Sequence, residues 1–353
     1  MLNVSKSVQA KTEVQLEPEV PKEPEVPKET AFAPFSGRIG PLVSRFGVLV
    51  ALVLVCVLFT LMLPGRFATS GNVLAMLNSE APIVILGLGI TLTLRLGDLD
   101  VSFAATMNLS AIVIALLTVN HHVSVPLAIM AGILVGGFVG FVNAILVVGI
   151  GLNGFVATLG MMIALEGIAD GLSGSATIVG VPGGLSTFAT TVLGGIPTEV
   201  YYGWLLVIIL WLIYERTVFG RYLLFVGGNR RASRLMGIRT SQVRWIAYIA
   251  SGVMFGFAGA VLTGGLGSAD PSLATQFLLP PLAGAFVGST TLQPGRFNSV
   301  GTILGLYLLM VVASGLQLLG ASGWVGDVFD GGALILAVGF ARLTGRGLAT
   351  TGL

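Results

Sequence analysis

Few residues in this chain have chemistry to offer, and they are gathered in three places. The segment Gly97-Asp-Leu-Asp-Val-Ser102, preceded by Arg95, sets two carboxylates and a guanidinium between long apolar runs. Charges in such surroundings are costly unless they are paired or face a watery cavity, which makes Asp98 and Asp100 candidates for a transport pathway. Arg95 and Asp98 are three residues apart, a spacing at which they would neutralise each other on one helix face. Glu166 and Asp170 are like charges four apart in a later apolar run, so at least one of them has to face a polar cavity or the membrane surface. The third place, from Glu215 to Arg244, holds Arg216, Arg221, Arg230, Arg231, Arg234, Arg239 and Arg244 against one acid. Short loops rich in Lys and Arg stay cytoplasmic, so this run gives an orientation and offers a docking surface to a cytosolic partner. The uncharged polar residues Asn108, Asn143, Asn153, Thr158 and Gln317 lie in or near apolar runs and complete the pathway candidates. Their competing role is to hold helices together by hydrogen bonds.

Other chemistry is excluded by what is missing. The last lysine is Lys28, so no residue of the apolar region could serve as the phosphate-binding lysine of a P-loop. His121 and His122 are the only histidines and Cys56 the only cysteine, too few for a structural zinc site, and no metal site is expected. A Ser-His-Asp site would have to use one of those two histidines, and no Gly-x-Ser-x-Gly turn in a strand-to-helix setting supports it. The residue set argues against hydrolytic or redox catalysis by this chain alone, so no catalytic residue is assigned.

The elements that must position these residues are membrane helices. Of 353 residues 54% are hydrophobic and only 10% charged, with a mean hydropathy of +0.95, where a soluble domain is about a quarter charged. Six of the sixteen acids fall in the first thirty residues, so the net charge of +2 says little about the rest. Residues 1–36 carry a tandem Glu-Pro-Glu-Val-Pro-Lys at 17–22 and 23–28, and read as a disordered cytoplasmic tail. They are too polar for a secretory signal. Apolar runs follow at 46–63, 81–96, 101–119, 124–150, 154–173, 200–214, 243–266, 281–292, 298–319 and 324–341, about ten spans. Two of them, 81–96 and 281–292, fall short of a straight crossing and read as tilted, broken or partly buried segments. The permease region is placed at 37–345, with a cytoplasmic loop at 215–242 inside it. Arg38 and Arg45 hold the first span with its N-terminus inside; six crossings return the arginine run to the cytoplasm, and ten bring Arg342 and Arg346 there as well. Gly132, Gly136 and Gly140 in one span, and Gly252, Gly256, Ala260 and Gly264 in another, fall at helix-face spacing and suit close backbone packing in lipid.

Four stretches, in order, resemble the permease subunits of ribose-type sugar importers, the ribose, xylose, arabinose and galactoside permeases of the ATP-binding-cassette (ABC) class. Gly97-Asp-Leu-Asp-Val-Ser102 is similar to the family's Gly-Gly-Ile-Asp-Leu-Ser, and Phe155-Val-Ala-Thr-Leu-Gly160 to its Phe-Ile-Ala-Thr-Leu-Gly. Phe219 to Ile238 carries the Gly-Arg-Tyr, Gly-Gly-Asn and Arg-Leu-x-Gly-Ile elements, and Leu316-Gln-Leu-Leu-Gly320 resembles a late Gly-Leu-Asn-Leu-Leu-Gly. The stretch from Phe277 to Asn298 looks like one sub-branch of these permeases. The resemblance implies an all-α, type II importer architecture with broken helices in a bacterial inner membrane, both termini cytoplasmic. It implies a second permease subunit, identical or related, a cytosolic ABC ATPase that carries the ATP and magnesium, and a solute-binding protein. This chain then binds no cofactor; membrane lipid surrounds it, and nucleic acid is not among its partners. In such permeases the segment after the sixth span forms short helices seated on the ATPase, which assigns Asn229, Arg230, Arg231, Ala232, Ser233, Arg234, Leu235, Met236 and Gly237 to coupling. The local chemistry agrees: Asn229 can cap a helix, Ala232 to Met236 suit one, and Gly237 can end it.

The chain departs from that pattern at several positions. Asp98 replaces the second Gly and Ala104 another; Glu166 sits where many relatives have Arg, Asp330 where they often have Lys, and Arg230 where they often carry an acid or Pro. A rival class, the ion-coupled secondary transporter or channel, also uses broken helices near the midplane and would bind its driving ion with Asp98, Asp100 or Glu166.

Overall fold

The computed structural model describes residues 40–343; the tail reading for 1–36 and the placements of Arg38 and Arg346 lie outside them. Every long element is a helix. In chain order these are α1 (Gly40–Met62), α2 (Ser70–Leu94), α3 (Phe103–Val119), α4 (Val125–Ala144), α5 (Gly154–Ser173), α6 (Gly183–Thr190), α7 (Thr198–Arg216), α8 (Val218–Gly228), α9 (Arg230–Leu235), α10 (Thr240–Leu266), α11 (Leu279–Gly288), α12 (Ser299–Leu318) and α13 (Gly323–Leu343). Among the described residues strands are confined to two-residue pairs, β1 (Ile178–Val179) with β4 (Ser268–Ala269), and β2 (Val192–Leu193) with β3 (Ile196–Pro197). Among the described residues seven helices are long and apolar enough to cross a membrane: α1, α2, α4 with its extension to Ile150, α5, α7, α10 and α12.

One expectation is corrected here. The run at 81–96 looked too short to cross, yet α2 is 25 residues long. The part before Ala81 holds Ser70, Asn72, Asn78, Ser79 and Glu80, polar residues that lower the local hydropathy without stopping the helix. Thr69 caps the start, its hydroxyl accepting from the Asn72 N–H at 3.2 Å. From Ala81 to Leu94 nearly every residue is buried, so α2 is apolar all round because it is enclosed all round. The run at 281–292 does prove short: α11 has ten residues and follows a 3₁₀ turn at Pro271–Phe277.

α10 is the other central helix, packed against α2, α3, α4 and α6. The two glycine rows face each other across the α4–α10 seam. A Cβ on Gly136 would overlap the Gly252 carbonyl, one on Gly140 the Tyr248 carbonyl, and one on Gly256 the Gly132 carbonyl. Lipid gives helices little hydrophobic reason to associate, so backbone-to-backbone packing supplies the attraction instead. The core itself is built from Ile85, Leu86, Ile90, Phe103, Met107, Phe255 and Val261, with Phe103 and Phe255 tilted at 5.9 Å between ring centroids.

Candidate functional site

The site grows out of the way α2 ends. Gly97 takes the left-handed conformation at φ +72°, its N–H donates to the Leu94 carbonyl at 3.0 Å, and the Asp98 N–H donates to the Thr93 carbonyl at 3.1 Å. This is the closure expected where a glycine follows the last turn. Residues 95–102 then run without helix to Phe103, and the backbone groups freed by the break find side-chain partners. Thr158 on α5 accepts from the Val101 N–H at 3.1 Å and donates towards the carbonyls of Gly154 and Leu99. The Asp100 Oδ1 accepts from the Ser102 N–H at 2.9 Å and from the Ser102 hydroxyl at 2.7 Å, and Asn143 on α4 donates to that hydroxyl at 2.8 Å. Asp100, Ser102, Asn143 and Thr158 are all buried, so residues of the break, of α4 and of α5 form one polar seam.

Asp98 is the charged end of that seam. Its Oδ1 accepts from Arg230 Nη2 at 2.6 Å, and Arg244 takes the carboxylate with two nitrogens, Nε at 2.9 Å on Oδ2 and Nη2 at 3.2 Å on Oδ1. Both ion pairs found among the described residues therefore end on this one carboxylate. The expected Arg95–Asp98 pair does not form. Gly97 turns the chain out of α2 before Asp98 is reached, so residues three apart here are not on one helix face. Arg95 instead lies over the Tyr214 ring, its guanidinium carbon 3.9 Å from the centroid, and Tyr214 shares a 2.6 Å hydrogen bond with Thr91. An aromatic face stabilises a guanidinium that has left water.

These groups line a cavity of about 1210 Å³, bordered by Arg95, Asp98, Asn153, Asn229, Arg230, Arg244 and Arg296 together with Phe155, Phe286 and Phe297. Asn153 and Asn229 both stand at its rim as helix caps: Asn153 accepts from the Phe155 and Val156 N–H groups, Asn229 from the Ala232 N–H at 2.9 Å. The remaining pathway candidates lie elsewhere. Asn108 is buried on α3 and donates to the Pro271 carbonyl at 2.6 Å. Glu166 is half-buried on α5 with Oε1 lacking a hydrogen-bond partner, Asp170 is exposed, and Gln317 is exposed on α12. Sequence reasoning missed Ser102 and Tyr214, which carry no signal apart from their neighbours, and counted Arg244 in the arginine run without placing it in a site.

The arginine run covers the end of α7, α8, α9 and the start of α10. Asn229 caps α9, Gly237 ends it at φ +80°, and the Ser233 hydroxyl donates back to the Asn229 carbonyl at 2.9 Å. Within α9 the buried residue is Ser233, whereas Leu235 is 85% exposed and Met236, just beyond, 63%. A six-residue helix has too few internal hydrogen bonds to persist alone. Here it rests on α8, whose Gly227 comes so close to the break that a Cβ would overlap the Arg95 carbonyl.

A bundle of apolar helices with a polar cavity beside the non-helical connection from α2 to α3 suits a membrane permease. Residues 72–338 match the family described as branched-chain amino acid transport system / permease component, and the chain belongs to that family. Among curated proteins it is 28% identical over 303 residues to the D-allose transport system permease protein of Escherichia coli strain K12, covering 86% of this chain and 93% of the relative. It is 29% identical to the ribose import permease protein of the same strain, covering 84% and 93%. It is 30% identical to the autoinducer 2 import system permease protein of Photorhabdus laumondii, covering 76% and 82%. No solved structure matches the chain. The resemblance to ribose-type permeases read from the four motifs is thus borne out across the bundle.

Proposed function

We propose that this chain is the transmembrane permease subunit of an ATP-driven importer that passes a monosaccharide or polyol into the cytoplasm. The observation that carries the reading is the pairing of an exposed short helix, α9, with the break that lines the cavity. A partner that pushes on α9 acts on the pathway. On this reading the partner is a cytosolic ABC ATPase that holds ATP and magnesium, residues 229–237 are its seat, a second permease subunit completes the pathway, and a solute-binding protein delivers the cargo.

The orientation follows from where the basic residues gather. The Arg45 carbonyl accepts from the Leu292 N–H and the Thr291 hydroxyl, Gln293 donates to Glu215, and Arg95, Arg230, Arg244 and Arg296 share the cavity. All belong to one end of the bundle, and a basic end faces the cytoplasm. The reading counts ten crossings, the seven long helices with α3, the pass through the 3₁₀ turn and α11, and α13, which would bring both termini to that side of a bacterial inner membrane. The ion-coupled alternative loses two of its three carboxylates, since Asp98 is taken by two arginines and Asp100 by Ser102, and the third, Glu166, lies outside the cavity lining. Proteoliposomes holding the permease, its ATPase and its binding protein are expected to take up sugar with no ion gradient and only with ATP on the cytoplasmic side. Uptake driven by a proton or sodium gradient without ATP overturns the importer.

A further inference from the structure

Three elements meet on the Asp98 carboxylate, and the two arginines that hold it are not equivalent. Arg244, near the start of α10, grips both oxygens and has a side chain 13% exposed; Arg230, the first residue of α9, makes one contact and is 41% exposed. Arg230 is also turned inward: its Nη2 reaches the Leu96 carbonyl at 3.3 Å as well as Asp98, while Arg231 and Arg234 of the same helix are exposed. Together with the seating of Gly227 on the Arg95 carbonyl, this fixes both sides of the α8–α9 joint to residues 95–98. Displacement of α9 therefore drags the break with it or detaches Arg230. Detachment is tolerable only because Arg244 remains: a buried carboxylate stripped of every partner would be strongly destabilising, and this one keeps a bidentate guanidinium.

We infer that Asp98 and Arg230 form the link by which movement of α9 reaches the break and the cavity, with Arg244 as the fixed anchor that lets the link open and re-form. Arg230 and Asp98 are positioning residues. They act through the backbone of residues 95–98 and need not touch cargo. The inference rests on the importer reading and names the contact through which that importer is coupled.

The test uses the full complex of permease, ATPase and binding protein in proteoliposomes, reading sugar taken up per ATP hydrolysed for Arg230→Gln, Arg230→Lys, Asp98→Asn and the double variant Asp98→Asn/Arg230→Gln. Arg230→Gln is expected to lower the ratio by about fivefold or more, Arg230→Lys to lower it less, and the double variant to be no worse than Asp98→Asn, because residues in one contact are not additive. A ratio for Arg230→Gln within about twofold of the parent overturns the link, as does a double variant whose losses multiply. Should Asp98→Asn not reach the membrane, the contrast between Gln and Lys at position 230 decides alone, equal losses counting against the link. A parent complex without ATP-dependent uptake defeats the importer itself, a result separate from any change among the variants.

Discussion

The two central helices, α2 and α10, each give way to the same three-residue turn, and the two turns behave differently. Asp100-Val-Ser102 follows α2 and Asp270-Pro-Ser272 follows α10; in both, the aspartate Oδ1 accepts from the serine N–H and hydroxyl, at 2.9 and 2.7 Å in the first and 2.8 and 2.7 Å in the second. Around Asp270 the other carboxylate oxygen takes the Thr177 hydroxyl at 2.7 Å, tying the short β1–β4 pair together with neutral groups. Those hydrogen bonds hold its carboxyl below the usual carboxylate range, with the Ser272 hydroxyl contributing most. Beside Asp100 the chain instead carries Asp98 and its two guanidinium partners. One end of the α2–α10 pair is closed by hydroxyls and the other by charge. Local hydrogen bonds are enough to shape a turn, whereas ion pairs reach across to elements more than a hundred residues away.

The contrast is broken most severely by removing its charged centre. Asp98→Ala leaves Arg230 and Arg244 facing each other without an acid, and is expected to cost about 3 kcal/mol, seen as a lower unfolding temperature of the detergent-solubilised complex. A smaller effect is expected of Gly227→Ala, which leaves every charge in place but forces α8 away from the Arg95 carbonyl. Overpacking of that kind costs about 1–3 kcal/mol, and should lower the unfolding temperature less than Asp98→Ala does. The smallest belongs to the other end. Asp270→Asn keeps an oxygen for Ser272 and lies at the surface, so uptake should stay within about twofold of the parent. The folded state holds the Asp270 carboxyl below its unfolded range, so what it contributes is present above that range and fades only as pH falls through the lower value. Uptake near neutrality should show no titration from it, and a loss in Asp270→Asn as large as that of Asp98→Ala would erase the distinction between the ends.

Local features were legible in the residues, and distant ones were not. Asn229 and Gly237 announce the start and end of α9 because a cap and a left-handed stop act within one turn. The glycine rows at 132–140 and 252–264 announced close packing, though not that each was the other's partner. The pairing of Arg95 with Asp98 failed because spacing along a helix is meaningful only where the helix continues, and Gly97 ends it. Asp98 and Arg230 each stand out singly as departures from the ribose-type pattern. The fold shows them to be two halves of one contact, 132 residues apart, which no reading of either neighbourhood would supply.

The α4–α10 seam has a mechanical consequence. With carbonyls seated along the glycine rows where side chains would normally lie, the two helices have little room there to slide or roll past each other by repacking rotamers. The two behave as a laminated beam, stiff along its length and moving only as one piece. Arg244 rides on that beam and holds Asp98 to it, while α9 sits on separate footing. On the importer reading, movement of α9 is taken up in the non-helical residues 95–102, the stretch caught between a stiff pair of helices on one side and a short surface helix on the other.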